Sequence, residues 1–274
     1  MSTDLSIESS VAIVGLGWLG EPLAKTLQAR GCRVAGTTTT EAKAERLRRE
    51  GIDALVWDIN EPRPSAWPVE LAAQTLVLCV PPGKVDDYAE TLGRVARLAA
   101  KAGVQRLLFT SATSVYGGLG RKTEADAAPD SARGERMLAA EQAVRHSGIP
   151  RVLCLRLSGL VGGNREPGRF LAGRRFEGGD EPVNLVAQED LLRFIPAILA
   201  RHDWPEVLNA SAPHHPGRRE FYTRAAELSD LPPPQFGGGG EGKCIDGSGL
   251  SRWLGLDYRV TDWFDWLAAR KARG

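Results

Sequence analysis

Gly15-Leu16-Gly17-Trp18-Leu19-Gly20 carries the G-x-G-x-x-G spacing that turns a strand sharply into a helix. A chain with 31 glycines in 274 residues meets this pattern by chance roughly 0.4 times, so context decides. Here the motif follows the apolar run Val11 to Val14 directly and opens a helical stretch from Leu19 to Arg30. Gly15 permits the tight turn, Gly17 lets a pyrophosphate approach the backbone, and Gly20 lets helix and strand pack closely. Trp18 and Leu19 then sit where the helix N-terminus offers N–H groups and a positive dipole end to phosphate. The chemistry expected is dinucleotide binding.

About 20 residues on, a carboxylate would accept hydrogen bonds from the adenosine ribose of NAD. This chain has Gly36-Thr37-Thr38-Thr39-Thr40 instead. Four hydroxyls without a carboxylate do not repel a 2′-phosphate, and Arg33, Lys43 or Arg46 could supply charge. NADP is therefore preferred over NAD, with Thr37 and Thr38 as contacts. Alternatively, the threonines merely cap the next helix, with Thr40 as N-cap before Glu41.

A second polar cluster, Ser111, Thr113, Ser114 and Tyr116, could orient a carbonyl or relay a proton, or could bond its own backbone. Arg165, Arg169, Arg174 and Arg175 form a candidate anion site. Gly237 to Cys244 nearly matches a phosphate loop, but Cys244 cannot ligate Mg²⁺ as a hydroxyl, and Pro232-Pro233-Pro234 is no strand. His214 and His215 are adjacent, and no metal site is expected.

The elements that must position these groups alternate. Strands are expected at Val11 to Val14, Arg33 to Thr37, Ala54 to Trp57, Thr75 to Val80, Arg106 to Thr110 and Val152 to Leu157. Helices lie between them, and Pro62, Pro64 and Pro68 mark a loop. Ser111 to Ala128 reads as a polar loop and Ser131 to Ser147 as a helix. Val183 to Val186 supplies a seventh strand, followed by a helix from Glu189 to Arg201. Beyond Trp204 the chain turns to Pro, Gly and Trp, and Trp253, Trp263, Trp266 and Phe264 are expected to pack a lobe there.

This is a Rossmann-type α/β fold: a doubly wound parallel sheet with a small C-terminal substrate lobe. Residues 1–162, completed by about 183–204, make the NAD(P)-binding domain. Residues 163–182 and 205–274 make the lobe. Lys plus Arg (35) against Asp plus Glu (34) leaves +1, so neither nucleic acid nor an anionic membrane is a partner by bulk charge. Single cysteines at 32, 79, 154 and 244, with no basic or apolar leader in Met1 to Ser10, fit a reduced, cytoplasmic setting.

Further motifs carry a family resemblance: Trp57-Asp58, Val80-Pro81-Pro82, Leu108 to Gly117 (LFTSATSVYG), Leu155-Arg156-Leu157, Gly159-Leu160-Val161-Gly162, and Val183 to Val186 ahead of Glu189-Asp190. The sequence resembles the extended short-chain dehydrogenase/reductases, and within them the NAD-dependent epimerase/dehydratase branch. The resemblance implies that Asp58 meets the adenine and that Val80, Pro81 and Pro82 pass the ribose and nicotinamide, with Ser111 beside them. It implies substrate contacts at Ser114, Arg133, Leu160, Arg169 and Asn184, often to a nucleotide-linked sugar, and a homodimer through the helix that contains Arg133 to Val144.

At the reaction centre this chain departs from the family. The family uses Tyr-x-x-x-Lys plus a hydroxyl, and no tyrosine here has Lys four residues on: Leu92, Gly120, Ala226 and Asp262 stand there. Aligned on Gly134 and Glu141, the Tyr and Lys slots hold Arg133 and Met137, and the hydroxyl slot holds Ala112. A guanidinium does not release its proton near neutral pH. Ser111, Thr113, Tyr116 and Arg133 remain the catalytic candidates. The expectation is an NAD(P)-dependent oxidoreductase or epimerase-like protein acting on a small, anionic or nucleotide-linked substrate. The alternative is a non-catalytic NAD(P)-binding sensor or interaction module.

Overall fold

A computed structural model describes residues 10–60 and 66–272. In chain order these form β1 (Ser10–Val14), α1 (Gly20–Gln28), β2 (Arg33–Thr38), α2 (Glu41–Arg49), β3 (Asp53–Val56), β4 (Thr75–Leu78), α3 (Tyr88–Lys101) and β5 (Arg106–Ala112). There follow β6 (Gly120–Lys122), α4 (Ala132–Arg145), β7 (Arg151–Leu157), β8 (Gly159–Val161), α5 (Gly168–Leu171), β9 (Arg175–Phe176), β10 (Leu185–Ala187) and α6 (Gln188–Leu199). The chain ends with β11 (Val207–Ala210), α7 (Arg218–Leu228), β12 (Gln235–Phe236), β13 (Lys243–Ile245), α8 (Ser248–Leu254) and α9 (Trp263–Lys271).

Seven strands form one sheet in the order β11-β7-β5-β4-β1-β2-β3. Its central strands are apolar on both faces, as a sheet covered by helices on each side requires. Val11 to Val14, Leu76 to Leu78 and Leu107 to Phe109 are all buried. Parallel pairing sets Ala12 opposite Ala35 and Leu76, and Leu76 opposite Leu107. The doubly wound fold is therefore present.

The seventh sheet strand is β11, not the run expected at Val183 to Val186. That run becomes β10, which pairs with β8 in a separate two-stranded sheet. Two further short pairs, β12 with β9 and β13 with β6, lie outside the large sheet. The expected polar loop Ser111 to Ala128 thus contains a strand at Gly120–Lys122. Of the expected proline loop, Pro62 and Pro64 lie outside the described residues, as does all of Met1 to Ser10 but Ser10.

The chain divides into two compact units, Met1–Val115 with Ser131–Arg156 and Leu192–Leu208, and Tyr116–Asp130 with Leu157–Leu191 and Asn209–Gly274. These limits differ from the sequence boundaries because pairing, not chain order, assigns segments. β6 joins the second unit through β13, and β8 and β10 pair within it. In the first unit α3 and α4 pack closely, where Gly93 leaves just enough room for Ala143. In the second, Trp263 is fully buried, edge-on to Trp266 at 5.4 Å and to Phe221 at 6.2 Å. Asp190, also fully buried, accepts from the N–H groups of Arg259 (2.8 Å) and Val260 (3.3 Å). Among the described residues no helix is long and apolar enough to cross a membrane.

Gly36 lies where β2 passes β1: a Cβ there would meet Ile13 O at 2.8 Å and Leu16 Cγ at 2.8 Å. Gly36→Ala is expected to lower unfolding free energy by about 1–3 kcal/mol, the usual cost of overpacking. Urea denaturation reads this directly, and an unchanged midpoint would contradict the packing described.

Candidate functional site

The carboxyl ends of β1 to β5 collect one set of expected residues on a single edge of the first unit. From β1 come Gly15 to Gly20, from β2 Thr37 and Thr38, from β3 Asp58. From β4 come Val80, Pro81 and Pro82, and from β5 Ser111, Thr113 and Ser114. In an open parallel sheet this edge is where ligands bind.

Backbone geometry shapes the glycine turn. Gly15 has φ +99°, and a Cβ on it would also meet Cys79 O at 2.9 Å. A Cβ on Gly20 would collide with the Gly15 carbonyl, so helix and turn close only around a bare backbone. Gly17 is different: a Cβ there would have nothing within 4 Å. Its missing side chain leaves open space beside the start of α1, whose N-cap, Leu19, makes no side-chain cap. An uncapped helix N-terminus beside an open backbone suits a pyrophosphate. The residues present therefore fit a dinucleotide.

Thr37 holds this turn. Its Oγ1 accepts from the Gly15 N–H at 3.0 Å, and its carbonyl accepts from Leu16 N–H at 2.7 Å. The Thr37 side chain is thus spent on the turn and is buried. Thr38 is also buried, whereas Thr39 and Thr40 are exposed. Thr40 is the N-cap of α2 by backbone geometry, but its side chain makes no capping bond. Tyr88, buried at the start of α3, fixes the next loop by donating to Val80 O at 2.6 Å. Asp58 accepts from the Asn60 N–H at 2.9 Å.

The cations that sequence reasoning offered to a 2′-phosphate are paired. Arg33 bonds Asp53 at 3.0 Å. Lys43 and Arg46 both reach Glu21, at 3.0 and 2.9 Å, and Lys25 reaches it at 3.3 Å. Burial works to raise the Glu21 carboxyl, but hydrogen bonds from Arg46 and Lys43 override it and hold the pKa at about 2.

Ser111 is buried and donates to Glu141 Oε1 at 2.5 Å. Arg156 grips the same carboxylate through Nε (2.9 Å) and Nη2 (2.8 Å), a bidentate pair with both side chains almost wholly buried. Sequence reasoning missed this triad. Its signal was Arg156 within the otherwise apolar Leu155-Arg156-Leu157, since a charge inside a buried strand requires a partner. The turn Thr113–Val115 packs on α4. There Arg133 is exposed and Met137 buried, so the slots of the family's Tyr and Lys hold a solvent-facing cation and a core side chain. The Ser114 Oγ is buried without a hydrogen-bond partner.

The remaining candidates belong to the second unit. Tyr116 is fully buried and donates to Asn209 Oδ1 at 2.6 Å. Asn184 donates to Lys243 O (2.8 Å) and accepts from the Ile245 N–H (2.7 Å), stitching β13 in place. Leu160 lies in β8 beside Val186 of β10, and Arg169 is exposed on α5. Arg174 and Arg218 stack on Phe176, and Arg218 and Arg219 on Phe236.

Residues 10–115 match the NAD binding domain of 6-phosphogluconate dehydrogenase. Over 270 residues the chain is 38% identical to Protein YeeZ of Escherichia coli strain K12, covering 92% of this chain and 96% of that protein. Among solved structures, a functionally unknown conserved protein from Silicibacter pomeroyi is 23% identical with a TM-score of 0.79, covering 97% of this chain and 99% of that one. UDP-glucuronic acid 4-epimerase from Bacillus cereus, in complex with NAD, is 17% identical with a TM-score of 0.77, covering 96% of each chain. The fold is that of the NAD-dependent epimerase/dehydratase structures, as the sequence resemblance implied.

Two outcomes follow. Arg156→Met strands the buried Glu141 charge and is expected to cost about 3–5 kcal/mol, against about 1 kcal/mol for Ser111→Ala, which leaves the ion pair intact. Equal losses in denaturant titrations would contradict this division. Because the Glu21 pKa is depressed from 4.5 to about 2, its contribution is present above pH 4.5 and lost as pH falls toward about 2. The melting-temperature gap between wild type and Glu21→Gln should therefore close over that window, and a gap that persists in acid would exclude the linkage.

Proposed function

The chain belongs to the family of Protein YeeZ, a name that carries no activity, and from its glycine turn we propose an NAD(P)-dependent oxidoreductase or epimerase-like protein. Its substrate is a small, anionic or nucleotide-linked molecule, and its preferred cofactor is NADP. The observation that carries this reading is the open space at Gly17 beside the uncapped start of α1. Gly17, Leu19 and Gly20 hold the pyrophosphate, Asp58 faces the adenine, and Val80 to Pro82 face the nicotinamide side. When bound, the nicotinamide supplies hydride transfer, and the protein supplies position and electrostatics.

Arg133, exposed and with no ion-pair partner among the described residues, binds the substrate's anionic group as a fork. Thr113 and Ser114 orient the reacting carbonyl. Ser111 acts as a positioning residue through Glu141, because its hydroxyl is already committed there. The setting proposed is cytoplasmic, in keeping with four free cysteines. A second reading, a non-catalytic NAD(P)-binding sensor or interaction module, is favoured by a specific observation: Tyr116 is engaged with Asn209, while the slots of the family's acid pair hold Arg133 and Met137.

Calorimetric titration with NADPH and NADH tests the binding step, and micromolar affinity is expected for NADPH. Gly17→Val should fold normally, having nothing to displace, yet lose at least about tenfold in affinity. Unchanged binding in that variant would remove the glycine turn from the site. Hydride turnover against a panel of anionic and nucleotide-linked carbonyl compounds then separates enzyme from sensor: cofactor oxidation with any of them supports the enzyme, and binding without oxidation supports the sensor.

A further inference from the structure

Lys43 is the third residue of α2, directly after the hydroxyl-bearing turn Thr38 to Thr40, and Glu21 stands in the first turn of α1, one residue beyond Gly20. Both helices begin at the carboxyl edge of the sheet, α1 after β1 and α2 after the neighbouring β2. Between Gly36 and Thr40 there is no carboxylate to receive a ribose diol. Glu41, which follows, is bonded to Arg48 at 2.7 Å.

The charges around Glu21 do not balance. Lys25, Lys43 and Arg46 surround Glu21 and Glu50, with Lys25 and Arg46 also reaching Glu50 at 2.7 and 2.8 Å. Three cations against two carboxylates leave an excess positive charge. Lys43 contributes it most freely, because Glu21 is its one ion-pair partner among the described residues. The Lys43 and Glu21 side chains are 30% and 19% exposed, so a ligand can reach them without opening the core.

We propose that Lys43, with the Thr38 to Thr40 turn, receives the 2′-phosphate of NADP(H), and that Glu21 is the built-in counter-ion this phosphate displaces. Glu21 is thereby a specificity-determining residue. A phosphate brings more charge and more acceptor oxygens than a carboxylate, and so wins the lysine. A bare 2′-hydroxyl brings no charge and leaves the Glu21 pair closed. Glu21 holds the cations in place without ligand, and it lowers the affinity for NADP(H) because they must first be released from it.

This rests on the dinucleotide reading above, and calorimetric titration of the full chain with NADPH and NADH keeps the two separable. Glu21→Gln should bind NADPH about tenfold more tightly while NADH changes less than about twofold, even though the variant is less stable. Lys43→Met should lose about tenfold for NADPH alone, and it carries the test if Glu21→Gln does not fold. Binding of 2′,5′-ADP should follow the NADPH pattern, and that of 5′-AMP the NADH pattern. An NADPH-to-NADH ratio that moves in neither variant overturns the counter-ion proposal while leaving dinucleotide binding intact. A wild type that binds neither nucleotide overturns both.

Discussion

The turn between β1 and α1 depends on the absence of side chains. Gly15 adopts φ +99° under the Cys79 carbonyl, and Gly20 packs against the Gly15 carbonyl, so neither position accepts a Cβ without moving backbone. Thr37 completes the constraint by satisfying the Gly15 N–H from the neighbouring strand. A buried donor left unpaired costs about 1–3 kcal/mol, so the hydroxyl is as much part of the turn as the glycines are. β1 and β2 must therefore hold their register, and through the sheet so must the loops that follow β3, β4 and β5. The opening beside Gly17 is the consequence, and the candidate site is built outward from it.

Electrostatics divides that edge into parts with different fates. Around Glu141 the charges are buried, bidentate and locked to Ser111, an arrangement that fixes the end of β5. Around Glu21 they are half-exposed and unbalanced, an arrangement that can exchange partners. Arg133 forms a third part, an exposed cation at the start of α4 with no ion-pair partner among the described residues. The slots where the family carries its tyrosine and lysine hold an exposed guanidinium and a buried thioether, neither of which can do the tyrosine's proton transfer near neutral pH.

Much of this was legible in the sequence because it rests on local pattern. The strands β1, β3, β4, β5 and β7 each carry an apolar run, and the glycine spacing is local by nature. What was not legible depends on pairing across the chain. Val207–Ala210 is short and carries a buried Asn209, so Val183 to Val186 read as the better seventh strand until pairing placed it beside β8. Gly120–Lys122 has no strand pattern, and only β13 makes it one. Thr37 and Thr38 look alike in sequence, yet strand register turns the Thr37 hydroxyl to Gly15. Glu141 lies among Met137, Ala140 and Val144 on α4, which marks a buried face, but only the fold shows that it meets Arg156 of β7.

The central claim is that a dinucleotide lies on the carboxyl edge of β1 and β2. Amide chemical-shift mapping of the ¹⁵N-labelled protein during NADPH addition tests it most directly. The account predicts the largest shifts at Gly15, Gly17, Leu19 and Thr38. Shifts confined to Arg218–Leu228 and Trp263–Lys271, or none at all, would contradict it.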